Sequence, residues 1–168
     1  MPNTDRDLES KDIARLLALQ AEAQDSVTVF TEAARLVAET CGYRLLTVLL
    51  YREADAEVER LYSSDPAYVV GGRKRLSDFP SNHAGMAQGE VFLAATKAEV
   101  AAAFTDHERI FALGISAILN APIRHAGQRF GTLNLCGDEG QYGPREIAAA
   151  RTIAAALTPT LMVAVRRQ

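Results

Sequence analysis

The sequence predicts an α+β fold: antiparallel strands with helices against one face and a partly polar cavity on the other. Three observations predict it. Segments near both ends repeat their apolar residues with helical spacing, whereas paired segments between them read as strands bounded by turn residues. The stretch Ile115 to Cys136 forms two long strands joined at Ala126-Gly127-Gln128, where Gly127 suits a tight turn. Those strands also divide by parity, because strand side chains alternate between faces. Leu119, Ala121, Ile123, Leu133 and Leu135 form an apolar set that must lie against helices. Ser116, Ile118, Asn120 and Pro122, with Thr132, Asn134 and Cys136, form the opposite set. Its mixture of apolar and uncharged polar groups suits the wall of a ligand cavity. For either asparagine alone, a bond to neighbouring backbone is the competing reading.

The remaining elements follow in chain order. Ser10 is placed to cap a first helix running to about Ala23, with Ile13, Leu16, Leu17 and Gln20 on one stripe. A helix that short is marginal alone and needs a partner surface, either the body of the domain or a second subunit. Asp25 or Ser26 starts a second helix. It carries Val27, Phe30, Ala34, Val37 and Cys41 and stops at Gly42. Cys41 on this stripe reads as a small buried hydrophobe. Tyr43 to Tyr51 is nearly continuous in apolar character, as for a strand covered on both faces. Arg52 to Ala56 turns the chain, and Glu57 to Ser64 returns to complete a hairpin.

Regularity then breaks at Asp65 to Ser81, which contains Gly71-Gly72 and the basic triplet Arg73-Lys74-Arg75. Long irregular loops are usually functional or mobile. Backbone N–H groups and cations here could hold an anion, against the alternative of a solvated basic loop. Ser81 to Gln88 is expected to form a short helix containing His83, and Val91 to Ala95 a short strand. Thr96 with Glu99, and Thr105 with Glu108, both fit capping boxes. The first helix should bury Val100 and Phe104, the second Ile110, Phe111 and Leu113 before Gly114. Pro122 is expected to disturb strand pairing locally. Pro144 suits the first position of the last helix, and Pro159 should kink or break it.

With 168 residues the chain has the length of one domain with a proper core. Its net charge of −3 argues against nucleic-acid binding, which normally shows a basic face. No apolar run approaches the roughly 20 residues of a membrane span, and the polar N-terminus is unlike a signal peptide. Cys41 and Cys136 lie far apart without metal-type spacing, so the cytoplasm is the default compartment.

The run from Phe104 to Leu135 carries a resemblance. A turn with an aspartate leads to a helix ending in Leu113-Gly114. Ser116 opens a strand ending in Ala121-Pro122-Ile123, and a Gly127 turn precedes Gly131-Thr132-Leu133. This ordered set resembles the GAF domain, over about residues 25 to 165. The resemblance implies an antiparallel sheet of five to six strands. N- and C-terminal helices cover one face, and loops and short helices over residues 65–114 roof a pocket on the other. Residues 25–168 would be the ligand-binding domain. Residues 1–24 would be a dimer element, because terminal helices of GAF domains often pair across a two-fold axis.

Pocket candidates are therefore Ser116, Ile118, Asn120, Asn134 and Cys136, with His83 and Arg73 from the roof. The cyclic-nucleotide signature of the family is absent. No cysteine lies in residues 65–114 to attach a bilin. Free methionine sulfoxide reductases, another branch, use clustered roof cysteines and sheet carboxylates that this chain lacks. No cofactor is expected, with haem through His83 or His107 left as an alternative. The reading is a stand-alone sensory module that binds a small cytoplasmic metabolite, pairs as a homodimer and acts on a signalling partner in trans. A dimerisation module without ligand, or an enzyme using His83, Asp106, His107 or Cys136, are the competing readings. An enzyme requires a nucleophile and a base converging on one reacting atom.

Overall fold

A computed structural model describes residues 6–78 and 83–166, without the side chains of residues 83 and 84. Two helices come first, α1 (Ser10–Glu22) and α2 (Ser26–Thr40), then strands β1 (Leu45–Arg52), β2 (Glu57–Ser63) and β3 (Arg73–Arg75). Next come α3 (His83–Ala87), β4 (Phe92–Ala94), α4 (Lys97–Ala103) and α5 (His107–Ala112). The chain ends with β5 (Ala117–His125), β6 (Gln128–Gly137), α6 (Pro144–Ala156) and α7 (Thr158–Arg166). The six strands form one antiparallel sheet in the order β3-β2-β1-β6-β5-β4.

β1 and β6 lie at the centre, which explains why β1 is apolar on both faces. Leu46, Val48 and Leu50 face the main core, together with Leu119, Ala121, Ile123, Leu133 and Leu135. The helical layer closes that core with Phe30, Leu36, Val37, Ile153 and Leu157, all essentially inaccessible. Fully burying side chains of this size contributes roughly 1.5–3 kcal/mol each. Gly131 lets this layer approach the sheet. A Cβ there would overlap the Leu49 carbonyl oxygen and the Leu161 side chain. The two-residue turn at Ala126-Gly127 has positive φ at both positions, 50° and 76°. That geometry matches the twist of the strands it joins.

α1 packs against α2 and α6 of its own chain, burying Leu16 completely. Gln20 ties it to the C-terminal region. Its Nε2 donates to the Ala156 carbonyl at 2.7 Å, and its Oε1 accepts from Thr160 Oγ1 at 2.7 Å. The cap is Glu9, not Ser10, and Asp12 accepts from the Glu9 N–H at 3.0 Å. Leu17 (47% exposed) and Val27 (56%) fall outside the buried stripes assigned to them from spacing. In α2, Asp25 is the N-cap and accepts from Thr28 N–H at 2.8 Å, while Gly42 at φ 68° ends the helix. Pro159 falls in the first turn of α7, and α6 and α7 meet at 43°. The expected break is thus observed. Among the described residues no single helix is long and apolar enough to cross a membrane.

Two expectations change at the sheet. Pro122 stays in register opposite Thr132, and the irregularity falls between Ile123 and Arg124. The proline is tolerated because β4 pairs only with Ile118 to Asn120, leaving the far edge of β5 unpaired there. The basic triplet is not loop but the edge strand β3, paired with Glu57 to Glu59 of β2.

Candidate ligand-binding site

The face of the sheet opposite the main core is where the polar parity set emerges. Asn120 pairs in register with Asn134, which pairs with Thr47 on β1, so three uncharged polar side chains form a row across three strands. Asn134 Nδ2 donates to Thr47 Oγ1 at 3.2 Å. Asn120 is only 6% exposed, and its Oδ1 has no hydrogen-bond partner. A buried carbonyl oxygen without a partner is costly and calls for an explanation at its site.

A cavity of about 140 Å³ lies over this row. Leu45, Leu49, Ile115 and Ile118 supply apolar floor and wall, and Cys136 and Thr132 also line it. Phe104, Thr105 and Ile110 close it from the connection between α4 and α5 and from α5 itself. Tyr68, Gly72 and Lys74 close it from the β2–β3 side. A small second core anchors this roof: Val100 and Ala94 are buried with Ile118, and the Phe104 ring meets Phe92 edge-on at 5.9 Å. Thr96 and Glu99 form the predicted capping box of α4, through Thr96 Oγ1 accepting from Glu99 N–H at 3.2 Å and Glu99 accepting from Thr96 N–H at 3.1 Å. At α5 the predicted box fails. Asp106 is the N-cap, makes no side-chain cap bond, and is 3.4 Å from Lys74 Nζ. That ion pair joins the α5 side of the cavity mouth to β3. Leu113, expected to be buried, is 40% exposed.

Charge at the mouth is uneven. Arg60 on β2 lines the cavity, with Nη1 donating to the Val69 carbonyl at 3.0 Å and Nε without a partner. Its guanidinium lies 5.2 Å from the Tyr68 ring centre, and that of Arg109 approaches the same ring at 6.0 Å. Burial lowers the Arg60 pKa, with Tyr68 opposing and the like charge of Arg109 adding to the effect. The Tyr68 phenol is raised, first by burial.

The sequence-based candidates separate as follows. Ile118, Asn120, Asn134 and Cys136 line the cavity. Ser116 does not. It precedes β5, where the strand parity has not begun, and its Oγ accepts from Glu139 N–H at 2.8 Å. Arg73 is also absent from the cavity. It points toward the other side of the sheet and lies 3.4 Å from Glu57 and 3.7 Å from Glu59, while its neighbour Lys74 lines the mouth. The side chain of His83 lies outside the described residues. His107 does not line the cavity either. Its Nδ1 bonds the Phe104 carbonyl at 2.9 Å and its ring packs on Phe111. Cys136, Asp106 and His107 make no hydrogen bonds to one another, and burial pushes the Cys136 thiol up to about 12. Thr47, Arg60 and Tyr68 are not among the candidates from sequence, and Lys74 is among them only as a member of the basic triplet. Thr47, the one polar residue between Leu45 and Leu50, was the available signal.

A family model described as GAF domain matches residues 25–160. The chain belongs to the GAF domain family. Its fold resembles the GAF domains of phosphoenolpyruvate-protein phosphotransferases from Coxiella burnetii and Acinetobacter. Both give a TM-score of 0.71 at 15% identity. They cover 95% and 94% of this chain, and 98% and 94% of their own. The chromophore-binding domain of a bacteriophytochrome from R. palustris gives a TM-score of 0.69 at 14% identity over 94% of this chain. This GAF domain spans 62% of that structure. At these identities the likeness shows the fold alone. Among curated proteins, no match is found.

Proposed function

We propose that this GAF domain is a sensory or regulatory module that binds a small molecule in the cavity between the sheet and its roof. The observation that carries the reading is the unpartnered Asn120 Oδ1, buried in a pocket with apolar walls. An apolar residue at position 120 would satisfy the fold better, so the amide is best explained by a group that it recognises. The cavity is close in size to one that admits a benzene-sized body, about 150 Å³, and a larger ligand requires the roof to move. The module acts without catalysis, through conformation. The protein neighbours include domains of sensory proteins, and two unpaired thiols suit a reducing cytoplasm.

Pairing of two copies through the helical layer is part of the same reading. Leu17, Val27 and Val163, on α1, α2 and α7, are exposed apolar side chains. They favour a helical contact with a second copy or with a signalling protein.

Melting-temperature shifts with pooled metabolites test the binding reading, because a ligand that binds only the native state raises stability by mass action. A shift that disappears when Ile118→Trp fills the cavity supports it. No shift with any pool, while Ile118→Trp leaves the wild-type melting temperature or raises it, counts against it. Sedimentation of the wild type and of Leu17→Glu tests pairing.

A further inference from the structure

We propose that the cavity takes a small, extended monocarboxylate with an apolar middle and a hydroxyl at its far end. The carboxylate sits against Arg60, and the hydroxyl donates to Asn120 Oδ1. The inference rests on the reading of the cavity as a ligand site and names the class of ligand.

Two buried polar atoms on the lining have no partner, and they are complementary in kind. Asn120 Oδ1 is an acceptor and Arg60 Nε is a charged donor. Among the described residues no carboxylate forms an ion pair with Arg60, and Val69 is the one acceptor its guanidinium bonds. The nearby acids do not correct this. Asp106 is engaged with Lys74, and Asp78, also on the lining, makes no ion pair with Arg60. Arg109, across the Tyr68 ring, adds a second positive charge. A carboxylate can take a charge-assisted, planar pair of bonds from a guanidinium, which a neutral group cannot match.

Register fixes the length. Arg60 is opposite Leu49, which pairs with Thr132, which pairs with Pro122, two residues from Asn120. Three strand spacings separate β2 from β5, about 14 Å. The guanidinium lies on the β3 side, with Nη1 bonded to the Val69 carbonyl and close to Gly72, so the ligand is extended, with its carboxylate and its hydroxyl at opposite ends. Leu45 and Ile118 wall this interval, with Phe104 and Ile110 above, so the middle of the ligand is apolar.

The test uses 6-hydroxyhexanoate, its uncharged amide, and hexanoate without the hydroxyl, within a four- to eight-carbon series of acids with a terminal hydroxyl. Calorimetric titration compares wild type with Arg60→Gln, Arg60→Lys and Asn120→Leu. The acid is expected to bind at least about tenfold tighter than its amide, the scale of one charge-assisted bond. Arg60→Gln removes that preference and Arg60→Lys keeps part of it. Loss of the hydroxyl weakens binding to wild type but not to Asn120→Leu. Equal binding of acid and amide, an acid preference surviving Arg60→Gln, or no binding by any acid in the series overturns the inference. If neutral apolar alcohols still bind in a manner lost with Ile118→Trp, the ligand-site reading stands and the anion class alone falls. If neither acids nor neutral compounds bind, both fall.

Discussion

Asn120 and Asn134 are cross-strand neighbours in one register, yet only Asn134 has a bond for its amide, to Thr47 Oγ1 at 3.2 Å, while Asn120 Oδ1 is left bare. Identical residues in adjacent strands therefore do different work. One joins β6 to β1, and the other presents an acceptor to the cavity. Asn120→Leu is expected to raise stability by about 1–2 kcal/mol, because it removes an unpartnered buried amide. Asn134→Leu should lower stability by about 1–3 kcal/mol, leaving Thr47 without its donor. Urea denaturation of the two variants checks the opposite signs. A loss of stability in both would show that the Asn120 amide is satisfied in solution. Gain of stability with loss of binding is a familiar exchange at functional positions.

Gly131→Ala is expected to be severe. The added methyl meets the Leu49 backbone as well as Leu161, and a neighbouring backbone in a central strand cannot move aside. Overpacking of this kind costs about 1–3 kcal/mol, and the backbone clash places the substitution at or beyond the upper end. Chemical denaturation measures it. A loss below about 1 kcal/mol would mean that the helical layer slides to accommodate the methyl.

Acid sensitivity is expected from the α1–α2 ion-pair network. Arg6 donates to both Asp12 oxygens, at 2.7 and 2.9 Å, and to Glu39, while Arg35 holds Glu32 and Glu39. The Arg6 bonds hold the Asp12 carboxyl below the usual range against the opposing effect of burial, and Glu32 is lowered chiefly by its bond from Arg35. A carboxyl depressed in the native state stabilises it above the unfolded-state value, about 3.9 for aspartate. That contribution disappears as pH falls through the native value. The melting temperature should therefore decline below about pH 4. Asp12→Asn should start lower at neutral pH and decline less steeply, which a thermal scan across acid pH resolves.

The two thiols should be inert in the native protein. Burial pushes Cys41 up to about 11, and Cys136 up to about 12. At pH 8 the thiolate fraction of Cys41 is on the order of one in a thousand, and the thiolate is the reactive form. Reaction with a disulfide reagent is expected at least about a hundredfold slower before urea unfolding than after it. A fast native phase, lost on Cys136→Ser, would show the cavity wall to be open to solvent.

Most of the architecture was readable where the pattern had room to repeat. β5 and β6 run long enough for period-two parity to assign Leu119 and Leu133 to the core and Ile118, Asn120 and Asn134 to the cavity. The reading failed where elements are short. Ser116 lies one residue before β5 begins, so counting from it carries no facing information. β3 has three residues, and its register comes from pairing with β2, not from its own sequence. Which of Arg73 and Lys74 faces the cavity was therefore hidden. At α5 the residues fit a capping box from Thr105, but the helix begins one residue later and buries no residue completely. Arg60 and Tyr68 were missed because they meet only through the fold.

The two outermost strands, β3 and β4, have three residues each, and every residue of β3 is cationic. A bare strand edge is a template on which a further chain can extend the sheet. Here that template is short at both ends and repels its own copy at one. Growth into fibrils by edge addition is thereby discouraged.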